Sequence, residues 1–337
     1  MRCGGFKNGW DYNSAMVVTR TPFRASFVGG GSDIREYYVR QGHGAVVSAA
    51  IAHYMYVVVH PYFYDKIRVK YSQTEDVDSI DEIRHPVVRE CLRRIPLNQG
   101  VEITSFADVP AGTGLGSSSS FTVGLLHALY AFKGILVSKE RLAEEACEIE
   151  IDVLKDPIGK QDQYAAAFGG LNTICFYGDG SVKVSPIFLD PSLRALMESR
   201  LALYYTGGSR LAREILGEQK ANLVREKNLE AQDRLVTMAH QLDEALREGN
   251  IDFLDTVLRE GWQQKIRLAS GICNPEIEAL LDRAVALGAS SGKLLGAGSQ
   301  GFLLLHSSNH PKLAAMLGKK RLPFILDTLG TQVISRS

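Results

Sequence analysis

Apolar and polar residues alternate along much of the first hundred positions, and β-branched side chains are frequent there. The alternating segments are MVVTRTPFRASFV, GAVVSAAIAHYMYVVVH, DKIRVKYS and GVEITSFADV. Alternation places every second side chain on one face of an extended chain, so each segment predicts a strand. An acidic loop is expected from Glu75 to Glu82, and a helix-like spacing follows from His85 to Ile95.

Further along, the apolar residues take on the spacing of helices. Leu125, Leu126, Leu129 and Phe132 fall on one helical face, and a second helix is expected from the N-cap Ser138 through KERLAEEACEIEIDVL. A short helix, QDQYAAAF, should follow and end at a pair of glycines. The segments LNTICFY and VKVSPI then predict a hairpin.

The remaining chain mixes both kinds of element, and proline and polar residues at positions 186–199 indicate a domain boundary. Beyond it we expect a strand LALYYTG, long helices to about Gly249, helices at 251–270 and 274–287, a strand GFLLLHS, a helix HPKLAAML and a closing strand PFILDT. The prediction is therefore a disordered leader of residues 1–15, an N-terminal domain of residues 16–190 and a C-terminal domain of residues 191–337. Both domains should be of the α+β class.

Composition narrows the possible function classes. Lys and Arg together number 38, as do Asp and Glu, so the formal net charge is zero. That balance argues against a nucleic-acid partner, which requires a basic excess or a basic face. The five cysteines are widely spaced, which fits neither a zinc site nor a disulfide framework and suggests the cytoplasm. No run of apolar residues reaches the roughly 18 that a membrane span requires.

The segment PAGTGLGSSSSF, residues 110–121, lies between a predicted strand and a predicted helix. Gly112, Gly114 and Gly116 would allow backbone amides to approach a ligand, because glycine has no Cβ. The serines would stand at the helix N-terminus, where free amides and the helix dipole favour an anion. A phosphate-binding loop is thus favoured over a solvated linker. It is not a Walker A loop, which requires Gly-Lys followed by Ser or Thr.

This segment resembles the Pro-x-x-x-Gly-Leu-Gly-Ser-Ser signature of the GHMP kinases. RTPFRASFVGGGSD resembles the N-terminal substrate block of that family, and LLGAGSQGFLLL resembles its C-terminal glycine-rich block. The resemblance implies a two-domain α+β fold, with a ribosomal-protein-S5-domain-2-like N-terminal domain and a ferredoxin-like α/β sandwich at the C-terminus. The third block also matches the dinucleotide fingerprint GxGxxG, but a strand follows it where that fingerprint requires a helix. Ser299 and Gln300 depart from the family pattern, which is richer in glycine here.

The resemblance also implies ATP and Mg²⁺ as cofactors and assigns residues to them. The ATP-binding candidates are Pro110, Gly112, Gly114, Leu115, Gly116, Ser117, Ser118 and Ser119. Ser118 and Glu150 are the expected magnesium ligands, with Glu148 as a second choice. A hydroxyl, a carboxylate and phosphate oxygens form the oxygen-only set that magnesium prefers. Either glutamate could also be an ordinary exposed helix residue.

Three residues are expected to carry the chemistry. Asp162 aligns with the proposed catalytic base of the family, and Arg24 aligns with the basic residue near that aspartate, where it would stabilise transferring charge. Lys160 is a second candidate cation, with a solvated side chain as the alternative. The expected substrate-binding residues are Arg20, Gly30, Gly31, Ser32, Asp33, Arg210, Gly296 and Gly298. A turn aspartate is the alternative role for Asp33.

RTPFRASFVGGGSD, together with GKQDQYAAAFGG and YYTGGSRLAREI, looks most like the bacterial D-glycero-D-manno-heptose 7-phosphate kinases, which phosphorylate the anomeric hydroxyl. L-fucose kinases and other sugar-1-kinases share much of the pattern. A phosphorylated sugar needs a cation at its far end, for which Arg210 and Arg213 are candidates, with a solvated helix face equally favoured. His53 and Tyr54 are weaker candidates for the sugar pocket. A catalytically silent sugar and nucleotide sensor, and a mevalonate-type or homoserine kinase, are the other hypotheses. The expected state is a monomer or homodimer.

Overall fold

The computed structural model of the chain describes residues 16–208, 213–225 and 227–336. The predicted leader and Arg210 therefore lie outside the described residues. The strands, in chain order, are β1 (Val17–Val28), β2 (His43–Pro61), β3 (Ile67–Lys70), β4 (Thr74–Val77), β5 (Val101–Ala107), β6 (Leu171–Tyr177), β7 (Val182–Pro186), β8 (Leu201–Gly207), β9 (Ala289–Leu294), β10 (Gly301–Ser307), β11 (Arg321–Pro323) and β12 (Gln332–Arg336).

Eleven α-helices connect the described strands. In chain order they are α1 (Arg35–Gln41), α2 (Pro86–Arg94), α3 (Ser117–Phe132), α4 (Lys139–Cys147), α5 (Gln161–Phe168), α6 (Pro191–Arg200), α7 (Arg213–Val224), α8 (Leu229–Arg247), α9 (Phe253–Lys265), α10 (Pro275–Ala286) and α11 (His310–Leu317). A π-helix, Glu148–Val153, continues directly from α4. No helix among the described residues is long and apolar enough to cross a membrane.

The first sheet has eight strands and is organised around the long strand β2. The strand order is β12-β1-β2-β5-β3-β4, with β6 paired to β2 and β7 paired to β6. Two strands share one edge of β2: β6 pairs with its first half and β5 with its second half. β1 is buried along its last eight residues, and α3, α5, α8 and α9 all contact it. β1 and the start of α3 therefore lie at the centre of the molecule.

The second sheet has four strands in the order β11-β8-β10-β9. α9 contacts both β9 of this sheet and β1 of the first. One core cluster of buried apolar side chains runs from Phe23 and Phe27 on β1 to Leu303 and Leu305 on β10. The two sheets consequently share a core, and α9 lies where they meet.

Most predicted elements are confirmed by the structure. Ser138 is the N-cap of α4 and accepts a hydrogen bond from the Arg141 amide, and GFLLLHS and HPKLAAML form β10 and α11. The predicted closing strand PFILDT is wrong: β11 ends at Pro323, and Leu326 forms only an isolated bridge to Ile51. The sequence pattern did not predict β4, β9, β12, α1 or α6. β4 covers the start of the expected acidic loop, and α6 forms almost entirely within the stretch assigned to the domain boundary.

The structure also bears on the division of the chain near residue 190. That position immediately precedes α6, and the first and second sheets lie mainly on either side of it. The last strand, β12, nevertheless returns to the first sheet and pairs antiparallel with β1. The boundary remains a prediction, and the C-terminal strand belongs structurally with the N-terminal sheet.

Candidate active site

The loop between β5 and α3 has a backbone that requires glycine. Gly112, Gly114 and Gly116 have φ angles of 74°, 83° and 75°, in the left-handed region. Gly116 is the N-cap of α3, so the first free amides of this sixteen-residue helix open onto the loop. The geometry is that of an anion cradle at a helix N-terminus.

Beside this loop, Arg24 and Asp162 form a bidentate ion pair. Arg24 Nε donates to Asp162 Oδ1 and Nη2 donates to Oδ2, each at 2.7 Å. Arg24 Nη1 also donates to the carbonyl oxygen of Gly114 at 2.6 Å, which ties the pair to the loop. A Cβ on Gly116 would lie 3.2 Å from Asp162 Oδ2, so glycine leaves the carboxylate accessible from the loop. Arg24 is buried, whereas the Asp162 side chain retains 23% exposure.

Asp33 lies at the N-terminus of α5, next to Asp162. Its carboxylate accepts hydrogen bonds from the backbone amides of Gln161 at 3.0 Å and Gly31 at 2.9 Å. Burial raises the pKa of Asp33, and the nearby Asp162 acts in the same direction. Gly159 is required here, because a Cβ at that position would lie 1.9 Å from Asp33 Oδ2. The buried Asp33 carboxylate is thus held at the start of α5, where it lines the cavity described below.

Glu150 is buried on the π-helix and is surrounded by neutral donors. It accepts hydrogen bonds from Ser119 at 2.9 Å, Thr122 at 2.9 Å and Gln163 at 2.6 Å, and Ser118 Oγ lies 3.3 Å away. Burial raises the pKa of Glu150 to about 7, against these hydrogen bonds, which favour the charged form. The alternative candidate, Glu148, is half exposed and pairs with Arg94 at 2.7 Å.

This donor set fits a magnesium ion. The Glu150 carboxylate has no cationic partner among the described residues, and the exposed Ser118 hydroxyl lies between it and the phosphate loop. Oxygen ligands alone, one of them a carboxylate that lacks charge compensation, suit a hard divalent cation. Ser118 lines the cavity described next and Glu150 does not, so the Glu150 carboxylate lies behind the Ser118 hydroxyl as seen from the cavity.

A cavity of about 360 Å³ joins these groups. The predicted residues that line it are Arg24, Gly30, Gly31, Asp33, Gly112, Gly114, Gly116, Ser117, Ser118, Ser119, Asp162, Gly296 and Gly298. The third block reaches the cavity by direct contact, since a Cβ on Gly296 would lie 2.4 Å from Gly114 Cα. All three sequence blocks therefore converge on one site. A second cavity of about 550 Å³, beside Gly208 and α10, contains none of these residues.

Among the loop residues, two predicted ATP ligands lie away from the cavity. Pro110 is exposed and its carbonyl oxygen accepts a hydrogen bond from Thr113, while Leu115 is fully buried and its carbonyl oxygen accepts from the Arg24 amide. Both lack groups that face the cavity, so their placement indicates that they hold the loop in shape.

Three other predicted residues also point elsewhere. Arg20 lies within β1, where it donates to Gln332 on β12 and stacks on Tyr54 of β2. Ser32 is buried and exchanges hydrogen bonds with the backbone of Ala45. Lys160 donates to the carbonyl oxygen of Gly180 at 2.8 Å and lies over the Tyr38 ring. The structure does not bring these three side chains to the cavity, because each has a partner on a neighbouring strand or turn.

The weaker substrate candidates are not placed in the cavity either. His53 lies 3.2 Å from the carbonyl oxygen of Pro323, and Tyr54 donates to Asp327. Arg213 is exposed and lies 3.6 Å from Asp156, whose side chain does line the cavity. Arg213 is therefore the one described residue among the candidates for binding a substrate phosphate, and its side chain does not line the cavity.

Sequence reasoning missed two lysines that do line the cavity, Lys265 and Lys293. In sequence, Lys265 lies within the predicted helix of residues 251–270, where a solvated lysine is the usual interpretation. Lys293 lies on β9, a short strand that the sequence pattern does not predict. Its position directly before the third glycine-rich block is the one feature of the sequence that could have pointed to the cavity. Gln161 and Gln219 also line the cavity. Gln161 directly precedes Asp162 in GKQDQYAAAFGG, whereas Gln219 follows no motif.

Comparison with known proteins identifies the family. The profile of the GHMP kinases N terminal domain matches residues 83–170, and that of the GHMP kinases C terminal domain matches residues 242–320. A D-glycero-alpha-D-manno-heptose 7-phosphate kinase of Campylobacter jejuni is 31% identical over 302 residues, which make up 85% of this chain and 88% of that protein. This chain belongs to the GHMP kinase family. It is an ATP-dependent sugar kinase.

Solved structures of GHMP kinases have the same fold. A D-glycero-D-manno-heptose 1-phosphate kinase from Bacteroides thetaiotaomicron superposes with a TM-score of 0.77 at 26% identity, covering 95% of this chain and all of that one. A galactokinase of Lactococcus lactis in complex with galactose gives a TM-score of 0.74 at 14% identity, over 95% of each chain. The expected two-part α+β fold of the GHMP kinases is thereby confirmed.

Proposed function

We propose that this GHMP kinase transfers the γ-phosphoryl group of ATP to the anomeric hydroxyl of D-glycero-D-manno-heptose 7-phosphate, giving the heptose 1,7-bisphosphate. The observation that carries this proposal is the Arg24–Asp162 pair, which stands between the phosphate loop and the Gly30–Asp33 block. A carboxylate at that junction is within the one cavity that both reactants would share.

Asp162 would accept the proton of the acceptor hydroxyl as its oxygen attacks the γ-phosphorus. The new O–P bond forms while the bond from the γ-phosphorus to the bridging oxygen breaks, and ADP leaves with that electron pair. Arg24 holds both carboxylate oxygens, which fixes the side chain toward the loop and balances its charge. The amides at the start of α3 would bind the nucleotide phosphates.

Ser118 and Glu150 are the residues that would hold Mg²⁺. When bound, the ion neutralises charge on the nucleotide phosphates. Ser119 and Thr122 keep the Glu150 carboxylate oriented toward Ser118 through their hydrogen bonds. Asp33, backed by the amides of Gly31 and Gln161, would accept hydrogen bonds from sugar hydroxyl groups.

The proposal of a heptose phosphate as the acceptor rests on the similar proteins. Two of them are named as heptose phosphate kinases, and both match more than four fifths of this chain. An L-fucokinase/L-fucose-1-P guanylyltransferase of Bacteroides fragilis is 30% identical over 65% of this chain, although this chain spans only 23% of that protein. L-Fucose is therefore the second candidate acceptor.

An acceptor panel tests the proposal. ADP release is measured with Mg²⁺ and ATP in the presence of heptose 7-phosphate, mannose 6-phosphate, fucose, galactose or mevalonate. The highest kcat/KM is expected with heptose 7-phosphate. Higher kcat/KM with fucose would move the assignment to a fucose kinase, and ATP binding without turnover on any acceptor would favour a sensor.

A further inference from the structure

Two lysine side chains reach the cavity from the second half of the chain without an acidic partner. Lys293, on β9, is 5% exposed, and its Nζ donates to the carbonyl oxygen of Phe27 at 2.8 Å. Lys265, at the end of α9, is half buried and donates to the carbonyl oxygens of Leu294 at 2.9 Å and Gly296 at 2.6 Å. Neither forms an ion pair with a described residue.

The carboxylates of the cavity are engaged elsewhere. Asp162 is paired with Arg24, Asp156 lies near Arg213, and Asp33 is held by backbone amides. Carbonyl oxygens satisfy the hydrogen bonds of an ammonium group but do not neutralise its charge. The two lysines and Arg24 thus bring three basic groups to one wall of the cavity, where only Arg24 has a carboxylate partner among the described residues.

The electrostatics agree with this geometry. Burial lowers the pKa of Lys293 to about 7, and the neighbouring Arg24 acts in the same direction. Burial also lowers the pKa of Lys265, with further contributions from Lys293 and Arg24. An anion bound between the lysines would reverse these effects, because it stabilises the charged form of each.

We propose that Lys265 and Lys293 form a phosphate subsite of the cavity, which binds a phosphate group of one of the two reactants. This inference rests on the proposed function, since both reactants there carry phosphate. Two ammonium groups favour a phosphate over a sugar hydroxyl, because a phosphate dianion accepts charge-assisted hydrogen bonds from several cations at once and a neutral hydroxyl does not. The source of the phosphate is either the acceptor sugar phosphate or the γ-phosphoryl group of ATP.

Lys293→Met and Lys265→Met test the subsite, with Lys139→Met as the matched control. Lys139 also donates to two carbonyl oxygens, those of Phe168 and Leu329, and burial also lowers its pKa, but it does not line the cavity. Thermal unfolding of each variant is compared with the wild type. Lys293→Arg, which retains the charge, should restore part of any lost binding.

Calorimetric titrations with heptose 7-phosphate, unphosphorylated heptose, a non-hydrolysable ATP analogue and ADP distinguish the two sources. If the acceptor phosphate binds the lysines, Kd for heptose 7-phosphate rises at least tenfold in both lysine variants, while the other values stay unchanged. If the γ-phosphate binds them, Kd for the ATP analogue rises by that factor and that for ADP does not. Either result supports the subsite.

Unchanged affinity for all phosphate ligands in both lysine variants would overturn the proposal. So would equal losses in Lys139→Met and the cavity variants. Failure of the proposed function is distinguishable, because titrations with the ATP analogue and with ADP still test the subsite if no heptose phosphate is turned over. Should Lys293→Met unfold, Lys265→Met and Lys293→Arg provide the same comparisons.

Discussion

At the scale of single residues, the site is organised by the contact between Arg24 and Asp162. The same guanidinium binds both carboxylate oxygens and the Gly114 carbonyl oxygen, so it couples the catalytic candidate to the phosphate loop. A bidentate pair of this kind fixes the carboxylate plane more firmly than a single hydrogen bond would. The position of Asp162 relative to a bound nucleotide therefore depends on Arg24.

Asp162→Asn should lower kcat by about 10²- to 10⁴-fold, because the amide cannot accept the acceptor proton. Affinity for ATP should change little, since the loop amides and serines remain. Steady-state kinetics and ATP-analogue titration measure the two effects. Asp156→Asn is the control, as it removes a cavity carboxylate that lies near Arg213 and not near the reacting groups. Unchanged turnover in Asp162→Asn would remove the residue from its proposed role.

Lys293 predicts a pH dependence of stability. Its pKa is lowered to about 7 in the folded protein, whereas the unfolded chain holds that proton up to the ordinary lysine range. Between these values the unfolded state binds more protons, so this group makes the free energy of unfolding rise with pH. The wild type should therefore gain roughly 2 kcal/mol relative to Lys293→Met between pH 7 and pH 9. Denaturant unfolding at both pH values measures it, and a constant difference would contradict the lowered pKa.

Several site residues could be predicted from the sequence, and the reason is local. Gly112, Gly114, Gly116 and Ser118 are neighbours in one strand-loop-helix segment, so their common role follows from loop chemistry. The lysines could not be predicted, because burial of a lysine depends on tertiary contacts that leave no periodic signal. The placement of Lys160 could not be predicted either, because its position two residues before Asp162 does not reveal its hydrogen bond to the Gly180 carbonyl oxygen.

At the scale of elements, the phosphate loop and the third glycine-rich block support each other. A Cβ on Gly114 would lie 2.6 Å from the carbonyl oxygen of Leu295, and one on Gly301 would lie 2.3 Å from that of Thr113. Two backbones approach here as closely as glycine permits. A shape change in either loop would therefore be transmitted to the other.

Gly114→Ala should raise KM for ATP by about tenfold, because the added methyl group displaces one of the two loops. Strain from a positive φ costs roughly 1–2 kcal/mol at such a position. Gly180→Ala separates the two effects, since Gly180 has a similar φ of 89° and no atom within 4 Å of an added Cβ. Both variants should lose stability, and only Gly114→Ala should lose ATP affinity. Equal KM values in the two variants would argue against loop contact as the cause.

Periodicity predicted long elements better than short ones. The continuous apolar run GFLLLHS and the capped helix at Ser138 matched the structure, because each has a pattern of its own in the sequence. The π-helix after Cys147 was not predicted, since its residues continue a helical spacing without interruption. β12 has five residues and is completed by pairing with β1, more than 300 positions earlier, which no local pattern reports.

At the scale of the whole molecule, the cavity is built from both halves of the chain. β1, the β5–α3 loop and α5 supply Arg24, the loop amides and Asp162, while α9 and β9 supply the two lysines. The family resemblance assigned ligand-binding residues to all three sequence blocks. Hydrophobic patterning alone could not show that the blocks meet, because their convergence depends on how the two sheets pack. The shared core that runs from β1 to β10 is the physical basis of that convergence.

The most direct test of the central claim is the position of the new phosphate in the product. The wild-type protein is incubated with Mg²⁺, ATP and D-glycero-D-manno-heptose 7-phosphate, and the product is followed by proton-coupled phosphorus NMR. We expect loss of the γ-phosphate signal and a new signal coupled to the anomeric proton, with the 7-phosphate retained. No ADP release with this sugar, or a new phosphate on any other carbon, would contradict it.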